Sequence, residues 1–314
     1  MKKAILYFAM ATLFLFSCKK DHSGSNDKPA QKLYQVNFNL SGFTETISNS
    51  TNNKLKVNSL KTSAITDYLK VLYYFVFDTG GKLVHSLTQD STAANFGAIS
   101  DNLPLGTYTV VIATGQKGLS VENDAYGSTI TKISDTYLYY GPSVTSPWKD
   151  TFFNKFQLTV SGTNVNQSVS GSRLVGQLEV NIEDAIPATA SKMEITVTSE
   201  SHQYYISTEL AHSFDPYVIT TPIPNAIKGT TNYKLDNILL NTYTPFTVKI
   251  VCYDASSKAL GTALVTNVTC EKNKKTILSG ELFGSSNTFN ITLNSAWDPT
   301  PIVVPFSGSY GSQK

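Results

Sequence analysis

The chain predicts an all-β protein, and three observations predict it. It is rich in Thr, Ser, Val, Tyr and Phe, with 17 Tyr and 16 Phe, and β-branched and aromatic side chains suit a pleated, half-buried surface. Apolar residues alternate with polar ones over short runs, as a strand with one buried face requires. Clusters of Asp, Asn, Gly and Pro separate those runs at the short spacing of sandwiches, not of a parallel α/β sheet.

The first strand is predicted over 33–40, where Tyr34, Val36, Phe38 and Leu40 share a face. The polar stretch 44–62 reads as loop. A dense apolar strand follows over 68–77, and Asp78-Thr79-Gly80-Gly81 is a turn by its chemistry, with 82–87 returning as the partner strand. Asp101-Asn102-Leu103-Pro104-Leu105-Gly106 reads as another turn, leading into a strand over 107–113, with more strands at 132–139 and 151–160. The stretch 161–172 (SGTNVNQSVSGS) is almost wholly small and polar, and fits either a hairpin loop or a connection between domains. Beyond it, Leu174, Gly176, Leu178, Val180 and Ile182 line one face of a strand over 174–182. Further strands are predicted at 193–198, 203–207, 233–240, 246–253, 260–268, 276–283 and 288–293. An internal echo links the halves: 71–77 followed by Asp78-x-x-x-Lys82 is matched by 247–253 followed by Asp254-x-x-x-Lys258.

The N-terminus carries an address. Lys2 and Lys3 precede an apolar run over 4–16, then come Ser17 and Cys18. A charged n-region and a short h-region read as a secretory signal. The run is shorter than the about 20 apolar residues that cross a bilayer. Leu15-Phe16-Ser17-Cys18 resembles the bacterial lipobox, in which signal peptidase cuts before a cysteine that becomes diacylated. Ser17 is the small residue that cleavage demands, whereas Phe16 is unusual at its position. The sequence thus assigns 1–17 to a signal peptide, Cys18 to lipid attachment, and 18–32 to a tether without apolar periodicity. Each buried acyl methylene contributes about 0.8 kcal/mol, so several chains on one cysteine hold a protein firmly. The alternative is an ordinary cleavable signal with Cys18 an incidental thiol.

Removing 1–17 takes away two lysines and no acid, so 23 basic residues face 23 acidic ones and the formal charge falls from +2 to zero. A neutral mature chain has no basic footprint for nucleic acid. The residues beyond 32 are enough for two domains of ordinary size. Two cysteines remain in the body, Cys252 and Cys270. Export permits a disulfide between them, but their separation proves no pairing. Cys252 also continues the alternation Val248, Ile250, Cys252, which makes it a small buried hydrophobe instead.

No catalytic constellation emerges. The histidines are His22, His85, His202 and His212, and no pair has the spacing of a zinc motif. Gly-x-Ser-x-Gly, P-loop and dinucleotide fingerprints are absent from the sequence. Glu183-Asp184 is an adjacent acidic pair at a strand end, and adjacency does not give two carboxyls one shared site with separated pKa values. The expectation is no catalytic residue, no metal, no cofactor and no enzyme. Tyr73-Tyr74, Tyr139-Tyr140 and Tyr204-Tyr205 raise a second function class, stacking on sugar rings. Adjacent strand residues point to opposite faces, so each pair offers at most one ring to a surface, and packing is the simpler account.

Several segments together resemble the fimbrillin family of Bacteroidota, in particular its FimB/Mfa2-like fimbrial anchor lipoproteins. They are Phe75-Val76-Phe77-Asp78 with its glycine turn, and Asn102-Leu103-Pro104-Leu105-Gly106-Thr107-Tyr108-Thr109-Val110-Val111. Others are Arg173-Leu174-Val175-Gly176-Gln177-Leu178-Glu179-Val180 before Ile186-Pro187, and Asn273-Lys274-Lys275-Thr276-Ile277-Leu278-Ser279-Gly280-Glu281-Leu282-Phe283. The charged cluster Lys19-Lys20-Asp21 after the lipobox resembles the surface-export signals of Bacteroidota lipoproteins. The resemblance implies two tandem transthyretin-like β-sandwich domains, 33–172 and 173–314, behind the signal peptide and tether. It implies a surface-exposed protein anchored in the outer membrane through lipid on Cys18, with fimbrial subunits as partners through donor-strand complementation. In this family polymerising subunits are matured by a surface protease, often arginine-specific, that removes the N-terminal strand. Arg173 is the only arginine in the chain, so no arginine follows the first strand where that cut falls. That points to a retained anchor or minor assembly component. A cut at Lys54, Lys56 or Lys61 would instead make the chain a polymerising stalk or tip subunit. The tail 301–306, with Ile302, Val303 and Val304, is either a donor strand or the last core strand. A surface glycan-binding lipoprotein is the alternative from another class.

Overall fold

A computed structural model describes residues 31–44, 66, 69–127, 129–141, 146–284 and 289–294. Cys18, His22, Lys54, Lys56, Lys61 and the 301–306 tail lie outside the described residues. The described residues are mostly strand. β1 (Leu33–Thr44), β2 (Val71–Phe77), β3 (Leu83–Asp90), β4 (Ala98–Pro104) and β5 (Gly106–Gly115) come first. β6 (Leu119–Asn123), β7 (Thr136–Tyr140), β8 (Thr151–Val160) and β9 (Val165–Arg173) follow. The second half holds β10 (Gly176–Ile182), β11 (Ala190–Tyr205), β12 (Leu210–Pro222) and β13 (Tyr233–Leu239). It continues with β14 (Phe246–Asp254), β15 (Ala259–Val268), β16 (Lys275–Gly280) and β17 (Phe289–Asn294).

These strands make three sheets. One is seven-stranded in the order β3-β2-β5-β8-β9-β1-β4, one is four-stranded in the order β13-β10-β16-β17, and the third runs β15-β14-β11-β7-β6 with β12 added along β11. In the seven-stranded sheet, β8 and β9 meet through only two residue pairs, Phe152↔Arg173 and Phe153↔Ser172. At that seam the sheet folds over, and the β9–β1–β4 wing covers one face of the β2–β5–β8 wing.

The apolar run of β2, VLYYFVF, follows from its place between two cores. Leu72, Tyr74 and Val76 enter one core with Val36 and Phe38 of β1 and Ile99 of β4. Phe75 and Phe77 point the other way, into a second core with Leu138 and Tyr140 of β7 and Tyr204 of β11. A strand covered on both faces loses the polar half of its alternation. β5 divides likewise, with Val110 and Ile112 in the first core and Val111 and Ala113 in the second. A third core packs Leu178, Val180 and Ile182 of β10 against Ile195 of β11 and Val248 and Ile250 of β14. The first residue of β10, Gly176, has no room for a side chain, since a Cβ there would lie 2.7 Å from the Glu271 carbonyl oxygen.

The structure departs from the sequence reading in four places. Residues 165–173 are a strand where the small polar composition offered a loop or a connection. Only Val169, Gly171 and Arg173 of its second half turn inward. Its backbone is satisfied by parallel pairing with β1, from Val36↔Val165 to Thr44↔Ser172, a partner remote in sequence. Asp101–Pro104 ends strand β4 instead of forming a turn, because Leu33–Asn39 pairs antiparallel along it. Pro104 is tolerated at the strand end, where its missing N–H matters least. The strands predicted at 193–198 and 203–207 are one strand, β11, carried through a bulge between Val197 and Glu200. β6 and β12 gave no signal, and β12 is exposed along most of its length.

Cys252 and Cys270 are both free and buried in this structure. Both belong to the β10–β14 core. Burial pushes the Cys252 thiol up to about 11 and the Cys270 thiol up to about 12, which leaves them protonated, inert hydrophobes.

Candidate functional site

β1 carries the first candidate feature. Its alternation puts Val36 and Phe38 wholly inside the core. The Phe38 ring meets Phe156 edge-on at 5.5 Å between centroids and lies 5.9 Å from Tyr74. Both backbone edges are used, since β4 pairs on one side and β9 on the other. Side chains reinforce this: Asn37 Nδ2 donates to Asn166 Oδ1 at 2.8 Å, and Gln35 Nε2 donates to Ser100 Oγ at 3.2 Å. β1 is therefore an interior strand, and removing it would open two rows of backbone donors and acceptors above an apolar slot.

The second feature is the sole arginine. Arg173 closes β9, and its side chain and that of Asp150 are each 1% exposed. Nε lies 2.7 Å from Asp150 Oδ1, and an Nη2–H donates to Asp150 Oδ2 at 3.3 Å. The remaining arm donates from Nη1 to Asn273 Oδ1 at 3.0 Å. The Phe152 ring lies 5.6 Å from the guanidinium carbon. A planar guanidinium meets a carboxylate two-pronged in a way lysine cannot. This fork joins the residue before β8 to the loop before β16. Lys155 adds a second tie, donating to the carbonyls of Ile206 at 3.3 Å and Ser207 at 2.6 Å, and it pairs with Glu209 at 2.9 Å. β7 also pairs with β11 through Tyr204↔Leu138 and Tyr205↔Tyr137.

The paired tyrosines split between faces as strand geometry requires. Tyr74, Tyr140 and Tyr204 enter cores, while Tyr73 donates to the Leu119 carbonyl and Tyr139 to Glu122. Tyr205 donates to Asp124. The histidines do not converge. His85 Nδ1 lies 2.5 Å from Asp101 Oδ1, His202 is buried, and His212 meets the Tyr205 ring at 4.7 Å. Among the described residues, no three of His, Cys, Asp and Glu stand together as metal ligands. Glu183 and Asp184 serve structure: Ser279 Oγ donates to Glu183 at 2.5 Å, and the N–H groups of Leu282 and Phe283 donate to Asp184 at 3.0 and 2.6 Å. Sequence reasoning missed Asp150 and Glu200, both buried acids with no apolar pattern to announce them. It used Arg173 as a count and as the start of a resembling segment, and did not foresee its burial against Asp150.

The described residues thus define an all-β protein whose distinctive side chains hold sheets together. The chain belongs to the fimbrillin-A associated anchor proteins Mfa1 and Mfa2, whose family model matches residues 44–298. Membership puts it among the fimbrial components of the cell surface. The fimbrial anchor protein Mfa2 from Porphyromonas gingivalis shares the fold at a TM-score of 0.52 and 12% identity, over 84% of this chain and 98% of that one. A candidate adhesin from Bacteroides ovatus matches at a TM-score of 0.52 and 10% identity, over 83% of this chain and 95% of that one. A candidate polysaccharide-binding protein from Bacteroides thetaiotaomicron matches at 0.53 and 10% identity, over 84% and 96%. No curated protein sequence matches the chain.

Proposed function

We propose that this protein roots a fimbria in the outer membrane, held there by lipid on Cys18 with 18–32 as its tether. The regions 33–172 and 173–314 act as two domains that present the binding surface to fimbrial subunits. The observation that carries this reading is the burial of Arg173, the one arginine in the chain. Its guanidinium is engaged by Asp150 and Asn273, so an arginine-specific protease has no accessible target, β1 stays in its sheet and the lipid upstream of it stays attached. Subunits then join by donor-strand complementation, in which backbone hydrogen bonds give affinity and alternate side chains give register. The protein serves assembly and not catalysis.

Intact-mass analysis of the protein extracted from outer membranes tests this. The expected mature N-terminus is acylated Cys18. A mature chain beginning beyond Thr44 would overturn the anchor reading in favour of a polymerising subunit, as a cut at Lys54, Lys56 or Lys61 would produce.

A further inference from the structure

A cleft of about 540 Å3 opens between β3, the edge of the seven-stranded sheet, and β6, the edge of the sheet that contains β11. That volume falls in the about 300–1,000 Å3 range of small-molecule sites. Its ends are fixed. At one end the Leu83 N–H donates to the Thr131 carbonyl at 2.8 Å and the Ile133 N–H donates to the Gly81 carbonyl at 2.9 Å. At the other, Tyr73 donates to the Leu119 carbonyl at 3.0 Å. The two edges are therefore braced apart and do not close on each other.

The lining combines apolar and polar groups in a particular way. The half-buried Tyr73 and Tyr139 supply aromatic surface over the buried Phe75 ring, and the Tyr73 and Phe75 rings lie nearly parallel, 7° apart with centroids at 6.2 Å. Ser86 and Thr88 on β3 and Thr129 across the cleft supply hydroxyls. Glu122 is the one charged residue of the lining. Its carboxylate is held in place by two phenols, with Tyr139 donating to Oε1 at 2.6 Å and Tyr137 to Oε2 at 3.0 Å. Burial, with Glu122 alongside, pushes the Tyr139 phenol up to about 12, so it stays a donor. Each carboxylate oxygen keeps a second lone pair for a further donor.

This chemistry selects its ligand. With Glu122 as its only charge, the lining repels anions, and a purely apolar ligand would cover the remaining lone pairs of that carboxylate and the Ser86, Thr88 and Thr129 hydroxyls without offering them hydrogen bonds. A neutral sugar satisfies both halves: its hydroxyls donate to Glu122 and exchange hydrogen bonds with Ser86, Thr88 and Thr129, while its C–H face packs on the aromatic surface. We propose that the cleft between β3 and β6 is a binding site for a neutral saccharide, with Glu122 as the orienting acceptor. The site is independent of how the protein is anchored.

The test uses the full chain in detergent, with methyl glycosides of glucose, galactose, mannose and N-acetylglucosamine as probes, read by saturation-transfer NMR and calorimetry. Glucuronic acid and sialic acid form the anionic arm. At least one neutral glycoside is expected to bind. Glu122→Gln should weaken that binding at least about tenfold, the effect of losing one charge-assisted hydrogen bond. Thr88→Trp, on an exposed position of the edge strand, should fill the cleft and abolish it, whereas Leu264→Ala on β15 should leave it unchanged. Absence of binding by every neutral probe, tighter binding of the acids, or binding that survives both cleft variants would overturn the proposal.

Discussion

Glu200 sits 3% exposed on β11, within the largely polar run SESHQYY. Burial pushes its carboxyl up to about 8, against the N–H groups of Leu240 at 2.6 Å and Asn241 at 3.3 Å, which act the other way. The folded protein then keeps a proton that the unfolded chain releases above its ordinary 4.5. Stability is fully present below that value, declines as pH rises toward about 8, and levels off beyond. Burial acts on His202 in the opposite sense, lowering its pKa despite Asp215, so its contribution is lost as pH falls below its ordinary 6.5. Comparing Glu200→Gln with the native chain cancels the histidine. In urea unfolding the variant should match the native protein near pH 5 and exceed it by roughly 2–4 kcal/mol at pH 8.5. A difference that does not grow with pH would count against a buried carboxyl without a countercharge.

The sequence echo proves at the level of the element to be one turn used twice. Asp78 Oδ1 accepts the N–H groups of Gly80 and Lys82, and Asp254 Oδ1 accepts those of Ser256 and Lys258, all at 2.9 Å. In each turn the aspartate N–H donates to the lysine carbonyl, and the residue three places on donates back to the aspartate carbonyl. This closes β2–β3 and β14–β15 alike. The copies differ at that third place, where Gly81 has φ +77° and Ser257 has φ +66°. Left-handed backbone costs a residue with a Cβ about 1–2 kcal/mol, partly offset by the smaller entropy it loses on folding. Ser257→Gly should therefore raise stability by about 0.5–1 kcal/mol, seen as a higher urea midpoint at unchanged slope. An unchanged or lower midpoint would mean that the β14–β15 turn is not strained at this residue. Such turns were legible because Asp and its neighbours fix them locally. β9 was not, because its ladder depends on β1, far away in sequence.

Across the whole molecule, the Arg173 fork ties residues on both sides of position 173. Arg173→Ala would leave Asp150 charged and buried, at a cost of about 3–5 kcal/mol. Arg173→Met combined with Asp150→Leu removes both charges and should retain most of the stability, since apolar replacements of a buried pair are often near neutral. Urea denaturation of the two variants separates these outcomes. Equal losses would mean that packing, and not an uncompensated charge, governs the junction. The two-sided burial of β2 and β5 belongs to this scale as well, for it arises only when the third sheet, through β7 and β11, covers the face that the β1 wing leaves open.

The sequence by itself determined the all-β class, the strands whose alternation or dense apolar runs mark them, the repeated aspartate turn, the facing of the tyrosine pairs and the family resemblance. Each of these depends on neighbours within a few residues, so local pattern suffices. Tertiary structure decided the strand status of β9, β6 and β12, the single long β11, the free state of Cys252 and Cys270, and the burial of Arg173, Asp150 and Glu200. Those depend on partners distant in the chain: a backbone ladder needs no apolar side chain to form, and a polar residue becomes buried only when another sheet closes over it.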